Sequence, residues 1–139
     1  KNIRLTVIGR VTGLPRRMQQ RIRHAVDVTK DNTRGTLQLA INYGGRAEIV
    51  DAVKKLVKEA RSASRITETS ISEKMYTAHQ PDPDLIIRTS GEHRTSGFLA
   101  WQGVYSELYF TKKNWPDFSE RDLDEALDDY KRRQRRFGQ

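Results

Sequence analysis

Cysteine is absent from the 139 residues, so neither a disulfide framework nor thiolate chemistry is open to this chain. No apolar run approaches the roughly 20 residues that a bilayer-spanning helix needs. The opening segment KNIRLTVIGR lacks the pattern of a signal peptide and reads as a strand entered mid-fold. Missing as well are a phosphate-binding P-loop, a dinucleotide fingerprint, paired zinc-ligand spacings and a serine triad. No internal repeat or low-complexity tract occurs. The expectation left by these absences is a soluble intracellular protein.

Charge is what the sequence has in excess. Charged residues make up 32% of it, and 26 Lys and Arg against 18 Asp and Glu give a net charge of +8. Such a balance implies an anionic partner, whether nucleic acid, a membrane surface or a phosphorylated small molecule, and composition does not choose among them. The densest basic run, Lys131 to Arg136, ends an expected helix, where cations complement the macrodipole. It reads as a solvated helix end. The length suits one domain with its own core.

Ile3, Leu5 and Val7 alternate with polar residues ahead of Gly9, the pattern of a strand closed by glycine. Pro15 opens an expected helix to about Thr29, with Met18, Ile22, Ala25 and Val26 as its apolar stripe. Thr36–Ile41 is a second strand and Asn42–Gly45 a tight turn, with glycines expected to supply positive φ. A helix from Arg46 to about Ala60 should face Ile49, Val53, Leu56 and Val57 inward. Ser62–Thr69 reads as a loop and Ile71–Thr77 as a short helix, stopped by Pro81-Asp82-Pro83. Asp84–Arg88 is a third strand, Phe98–Tyr105 helical or irregular, Glu107–Phe110 a fourth strand, and Asn114-Trp115-Pro116 a turn. Ser119 caps a last helix to about Phe137, with Leu123, Ala126, Leu127 and Tyr130 inward. This rhythm predicts an α/β fold, a mostly parallel sheet with helices on both faces.

Ligands of open parallel sheets bind beyond the carboxyl ends of the strands. Of the three such places here, only the one after Ile87 is dense in chemistry. In RTSGEHRTSG, residues 88–97, two arginines, a histidine, an acid and several hydroxyls lie on a glycine-bounded loop. Guanidinium forks match phosphate oxygens. Ser90, Thr95 and Ser96 can add donors, and Gly91 and Gly97 let the backbone approach a ligand. The arrangement points to a diphosphate cradle; the alternative is a surface loop whose arginines pair with Glu92, Asp82 or Asp84. Glu107, among aromatics, needs a partner. That partner is either Mg²⁺ or a lysine such as Lys112. His93 is a metal or phosphate ligand or an exposed loop residue. Arg46 reads as structural, paired with an acid such as Glu48.

The stretch DLIIRTSGEHRTSGFLAWQ (84–102), then YSELYF and NWPDF, with NYGGR at 42–46 and RRFG at 135–138, resembles the C-terminal signature of the cis-prenyltransferases. These are enzymes of the undecaprenyl and dehydrodolichyl diphosphate synthase type. The resemblance covers nearly the whole chain. It implies a prenyltransferase that condenses isopentenyl diphosphate with an allylic prenyl diphosphate. On the matching positions it implies that Arg88, Arg94, Thr95 and Ser96 hold isopentenyl diphosphate. Glu107 becomes a Mg²⁺ ligand, with His93 close to that metal. It further implies a homodimer with RRFG near the dimer contact, no nucleic-acid partner, and a cytoplasmic protein touching the membrane only peripherally through its lipid product. Two departures stand out. Gly97 occupies a position where the family usually has Asn. The family's H-x-M-D-G-N-x-R segment, which carries the catalytic aspartate, and its S-x-E-N segment do not occur here. The expectation is therefore one partial catalytic domain over 1–139, the C-terminal portion of such an enzyme, inactive alone. The alternative is a non-catalytic subunit of a heteromeric prenyltransferase, against which the retained Arg88, Arg94, Ser96 and Glu107 argue. A basic nucleic-acid-binding module ranks last, because the aromatics are not interleaved with the basic tail.

Overall fold

The computed structural model describes residues 1–59 and 62–133. It falls into two compact units, Lys1–Gln80 and Pro81–Gln139.

In the first unit, β1 (Ile3–Ile8) and β2 (Gly35–Ala40) pair in parallel, Ile3 beside Gly35 and Ile8 beside Ala40. A parallel pair needs a crossover, and α1 (Arg16–Asp27), capped by Pro15, supplies it. Thr29 fastens the helix end to the strand: its Oγ1 donates to Ala25 O (2.9 Å) and accepts from Leu5 N (3.0 Å). Gly9 closes β1 at φ +113°, and a Cβ there would stand 2.2 Å from the Ile41 carbonyl. No other residue fits.

The turn after β2 departs from expectation. Its positive φ falls on Asn42 (+49°), whereas Gly44 is extended at −157°. Asn tolerates the left-handed region. Here its Nδ2 also donates to Arg10 O at 2.9 Å, clamping the two strand ends together. α2 (Gly45–Lys58) then buries Glu48, Ala52 and Leu56, while Val53 and Val57 are exposed at 36% and 64%. The inward face is rotated from the predicted stripe because Glu48 is drawn inside. Its carboxylate accepts from Tyr43 Oη (2.6 Å) and Tyr76 N (2.7 Å). Glu48 was the expected partner of Arg46; the structure gives it these two donors, and Arg46 is exposed. Ala60, the predicted end of this helix, lies outside the described residues.

The next segment begins earlier than predicted. A capping box between Thr67 and Ser70 starts α3 at Glu68–Ser72, and a 3₁₀ turn occupies Ala63–Arg65. The side-chain exchange satisfies orphan donors at the helix start, and turns follow Ser72. In α1, Ile22, Ala25 and Val26 are half-buried as expected, but Met18 is 47% exposed.

In the second unit, β3 (Leu85–Arg88) and β4 (Glu107–Phe110) are again parallel, Leu85 beside Glu107 and Arg88 beside Phe110. The connection, residues 89–106, contains no regular helix; Phe98–Tyr105 is a run of turns. It is pinned where β4 begins by Ser106 Oγ donating to Pro83 O (2.6 Å) and Glu107 N to Asp84 O (3.0 Å). The Asn114-Trp115-Pro116 turn is a 3₁₀ turn over Trp115–Asp117. Ser119 caps α4 (Glu120–Arg132) through a capping box with Asp122. Ala126 and Asp122 are buried, whereas Leu123 and Leu127 are exposed at 41% and 38%. The predicted helix end at Phe137 and the RRFG segment lie outside the described residues.

Candidate diphosphate-binding site

Side chains alternate across a strand and paired residues share a face. The β3–β4 register therefore puts Ile86, Arg88, Leu108 and Phe110 on one face and Leu85, Ile87, Glu107 and Tyr109 on the other. The first face opens into a cavity of about 320 Å³ that also meets Thr89, Ser90, Arg94, Thr95 and Phe98, and Ile87 from the other face borders it as well. Its wall is apolar and its rim carries two guanidiniums and three hydroxyls.

The rim is shaped by backbone conformation. Ser90, Gly91, Ser96, Gly97 and Leu99 all have positive φ, between 46° and 76°. Such residues persist only where surrounding bonds hold them. Ser90 N donates to Lys113 O (2.7 Å) and Gly91 N to Thr111 O (2.9 Å), fixing the first half of the loop to the chain after β4. Arg88 fixes the second half: its guanidinium donates to Arg94 O at 2.7 Å and to Ser96 Oγ at 3.2 Å. Arg88 thus organises the loop on which Arg94 stands. Arg94 itself forms an ion pair with Glu92 at the exposed edge, the pairing expected of a surface loop, so an anionic ligand would have to displace Glu92. Gly97 has φ +76° and nothing within 4 Å of an added Cβ. The position selects for conformation rather than size, and Asn is among the few other residues that tolerate it. A Gly at this position is thereby accounted for.

The structure brings Arg88, Arg94, Thr95 and Ser96 together. It places Glu107 apart from them, on the opposite face and three residues earlier in β4 than Phe110, about 10 Å of strand. Glu107 Oε2 accepts from Arg133 at 2.8 Å, and the same guanidinium donates to Leu108 O (2.9 Å) and Asp129 (2.9 and 2.5 Å). Glu107 and then Asp129 push the Arg133 pKa further up. Glu107 thus pairs with Arg133, which was not foreseen, where Lys112 had been the lysine considered for it. His93 stacks on Phe110 at 4.9 Å between ring centroids. Among the described residues, no group of three or more His, Asp or Glu is placed to hold a metal. Glu107 has the hard oxygen that magnesium favours, but it is committed to Arg133 and is not grouped with His93. The two do not fit a single magnesium site.

Comparison with known proteins decides the lineage. Residues 1–138 match the family described as "Putative undecaprenyl diphosphate synthase". The chain belongs to this prenyltransferase family. Relatives in it include an isoprenyl transferase of Thermotoga maritima, 47% identical over 99% of this chain, and one of Fusobacterium nucleatum, 49% identical over 98%. The chain spans 60% and 58% of the lengths of these two. A crystal structure of lavandulyl diphosphate synthase from Lavandula x intermedia, in complex with dimethylallyl diphosphate, superposes with a TM-score of 0.93 at 37% identity. That match covers 99% of this chain and 61% of the other. The prenyltransferase fold is thus α/β with parallel strand pairing, as the sequence implied.

Proposed function

We propose that the full-length protein condenses isopentenyl diphosphate with an allylic prenyl diphosphate to give a polyprenyl diphosphate, and that residues 88–96 hold the isopentenyl diphosphate. One observation carries the reading: two guanidiniums and three hydroxyls rim a cavity whose wall is apolar. A diphosphate has its charge at one end and a five-carbon isopentenyl group at the other. Arg88 and Arg94 supply charge-assisted donors for the phosphates. Thr95 and Ser96 add neutral donors, and Ile86, Leu108, Phe98 and Phe110 receive the hydrocarbon and exclude water. Arg88, already bonded across the loop, acts as a preorganised donor. Arg94 exchanges Glu92 for phosphate.

By resemblance, magnesium is proposed as the counter-ion of the diphosphate; Glu107, held by Arg133, and His93, stacked on Phe110, do not supply a common site for it. When bound it would screen phosphate charge, and no step is derived through it. A homodimer, a cytoplasmic setting, peripheral contact with the membrane through the lipid product and no nucleic-acid partner complete the proposal. No helix among the described residues is long and apolar enough to cross a membrane.

The test is chain elongation by the full-length protein from labelled isopentenyl diphosphate and an allylic primer. Arg94→Ala should raise the isopentenyl diphosphate KM or depress turnover sharply. Unchanged values for both would reject the role.

A further inference from the structure

The helix α1 has no acid in its first turn and carries Arg16, Arg17, Arg21 and Arg23, all exposed. None of the four forms an ion pair among the described residues. The helix's single acid, Asp27, is occupied by Lys30 at 2.9 Å. Cations in a first turn oppose the macrodipole, so Arg16 and Arg17 do not serve the helix. The inward face is already taken up by half-buried Ile22, Ala25 and Val26, so the arginines are not needed for packing either. Arg17 and Arg21 are one turn apart and flank Met18, which is 47% exposed; with Pro15 these three residues line an open groove of about 380 Å³.

We infer that the side of α1 that carries Arg17, Met18 and Arg21 docks the protein on an anionic lipid surface. Charge complementarity identifies the occupant: unpaired guanidiniums match lipid phosphates, and Met18 and Pro15 between them offer an apolar contact at headgroup depth. A basic helix face of this kind reads as membrane-surface binding. An aromatic platform for stacking single-stranded bases is absent from α1, whose residues include no Phe, Tyr or Trp. The inference stands independently of the diphosphate cradle, which lies in the other compact unit.

The test is co-sedimentation of the full-length protein with phosphatidylcholine vesicles, with and without phosphatidylglycerol. The wild type should bind the anionic vesicles and release them at high salt. Each basic residue near an anionic surface is worth about fivefold in affinity, so Arg17→Gln/Arg21→Gln should weaken binding roughly 25-fold, with an unchanged melting temperature because both side chains are exposed. A control, Arg121→Gln/Lys131→Gln on α4, removes the same two charges elsewhere and should bind within a few-fold of wild type. Equal losses in both double variants would make net charge the cause and overturn the assignment to α1. Equal binding to neutral vesicles, no binding at all, or retention on duplex DNA without vesicle binding would each overturn it as well.

Discussion

Replacing Arg88 should damage the site more than replacing Arg94, although both face the same cavity. Arg88→Ala removes two internal hydrogen bonds, to Arg94 O at 2.7 Å and Ser96 Oγ at 3.2 Å, as well as the proposed phosphate donor. Bonds from a charged donor contribute about 1.5 kcal/mol each at the low end. Water can reach the freed carbonyl, so the low end applies and the two internal bonds amount to roughly 3 kcal/mol. Even half of that expressed in binding, added to a lost phosphate contact worth about tenfold, raises the expected isopentenyl diphosphate KM about 100-fold. Arg94→Ala leaves the Arg94 carbonyl in place, so Arg88 keeps the loop, and only the one proposed phosphate contact is lost. About tenfold is expected. Arg88→Lys should fall between Arg88→Ala and wild type, because a point charge cannot serve two acceptors and a phosphate in the way a planar fork can. The assay is steady-state elongation kinetics of the full-length protein at saturating allylic primer. If Arg88→Ala matched Arg94→Ala, or if Arg88→Lys were indistinguishable from wild type, Arg88 would not organise the loop.

Three further outcomes follow from the same geometry. Glu48 is fully buried and accepts from Tyr43 and the Tyr76 amide; Glu48→Ala should cost about 3 kcal/mol in urea unfolding by stranding those donors, and a loss under 1 kcal/mol would show they are satisfied otherwise. The Arg10 guanidinium and then the Tyr76 hydroxyl hold Asp51 down at a pKa of about 2; a carboxyl depressed from its ordinary value near 3.9 contributes stability above about pH 4 that is lost as pH falls through about 2. Arg10→Gln should flatten that acid limb in urea midpoints measured against pH, and an unchanged limb would contradict the pairing. At Gly97, with φ +76° and open space around it, Asn should be accepted with activity within a few-fold, whereas Val, strained in that region, should lower isopentenyl diphosphate affinity; equal behaviour of the two would remove the conformational argument.

The strands were legible because alternation and a terminal glycine are local signals: Ile3–Ile8 ended where Gly9 must, against the Ile41 carbonyl. Helix faces were legible only in part. Hydrophobicity assigned Val53 and Val57 inward, but the orientation of α2 follows Glu48, whose inward turn depends on Tyr76, 28 residues away. The start of α3 was missed because its capping box uses Ser70 rather than the commoner Glu or Gln. Within the site, Arg88, Arg94, Thr95 and Ser96 could be grouped from sequence because one glycine-bounded loop carries them. That Glu107 faces away from them requires the β3–β4 register. That Arg133 holds it requires the end of α4 to reach β4, a contact across 26 residues. The alternation of Ile86 and Arg88 against Leu108 and Phe110 was the available signal for the cavity's apolar wall.

The most direct measurement is the position of the phosphates in crystals of the full-length protein soaked with isopentenyl diphosphate. The account predicts difference density for both phosphates within hydrogen-bond reach of the Arg88 and Arg94 guanidiniums, with the hydrocarbon toward Phe98 and Phe110 and the Arg94–Glu92 pair opened. Diphosphate density away from both guanidiniums would contradict it.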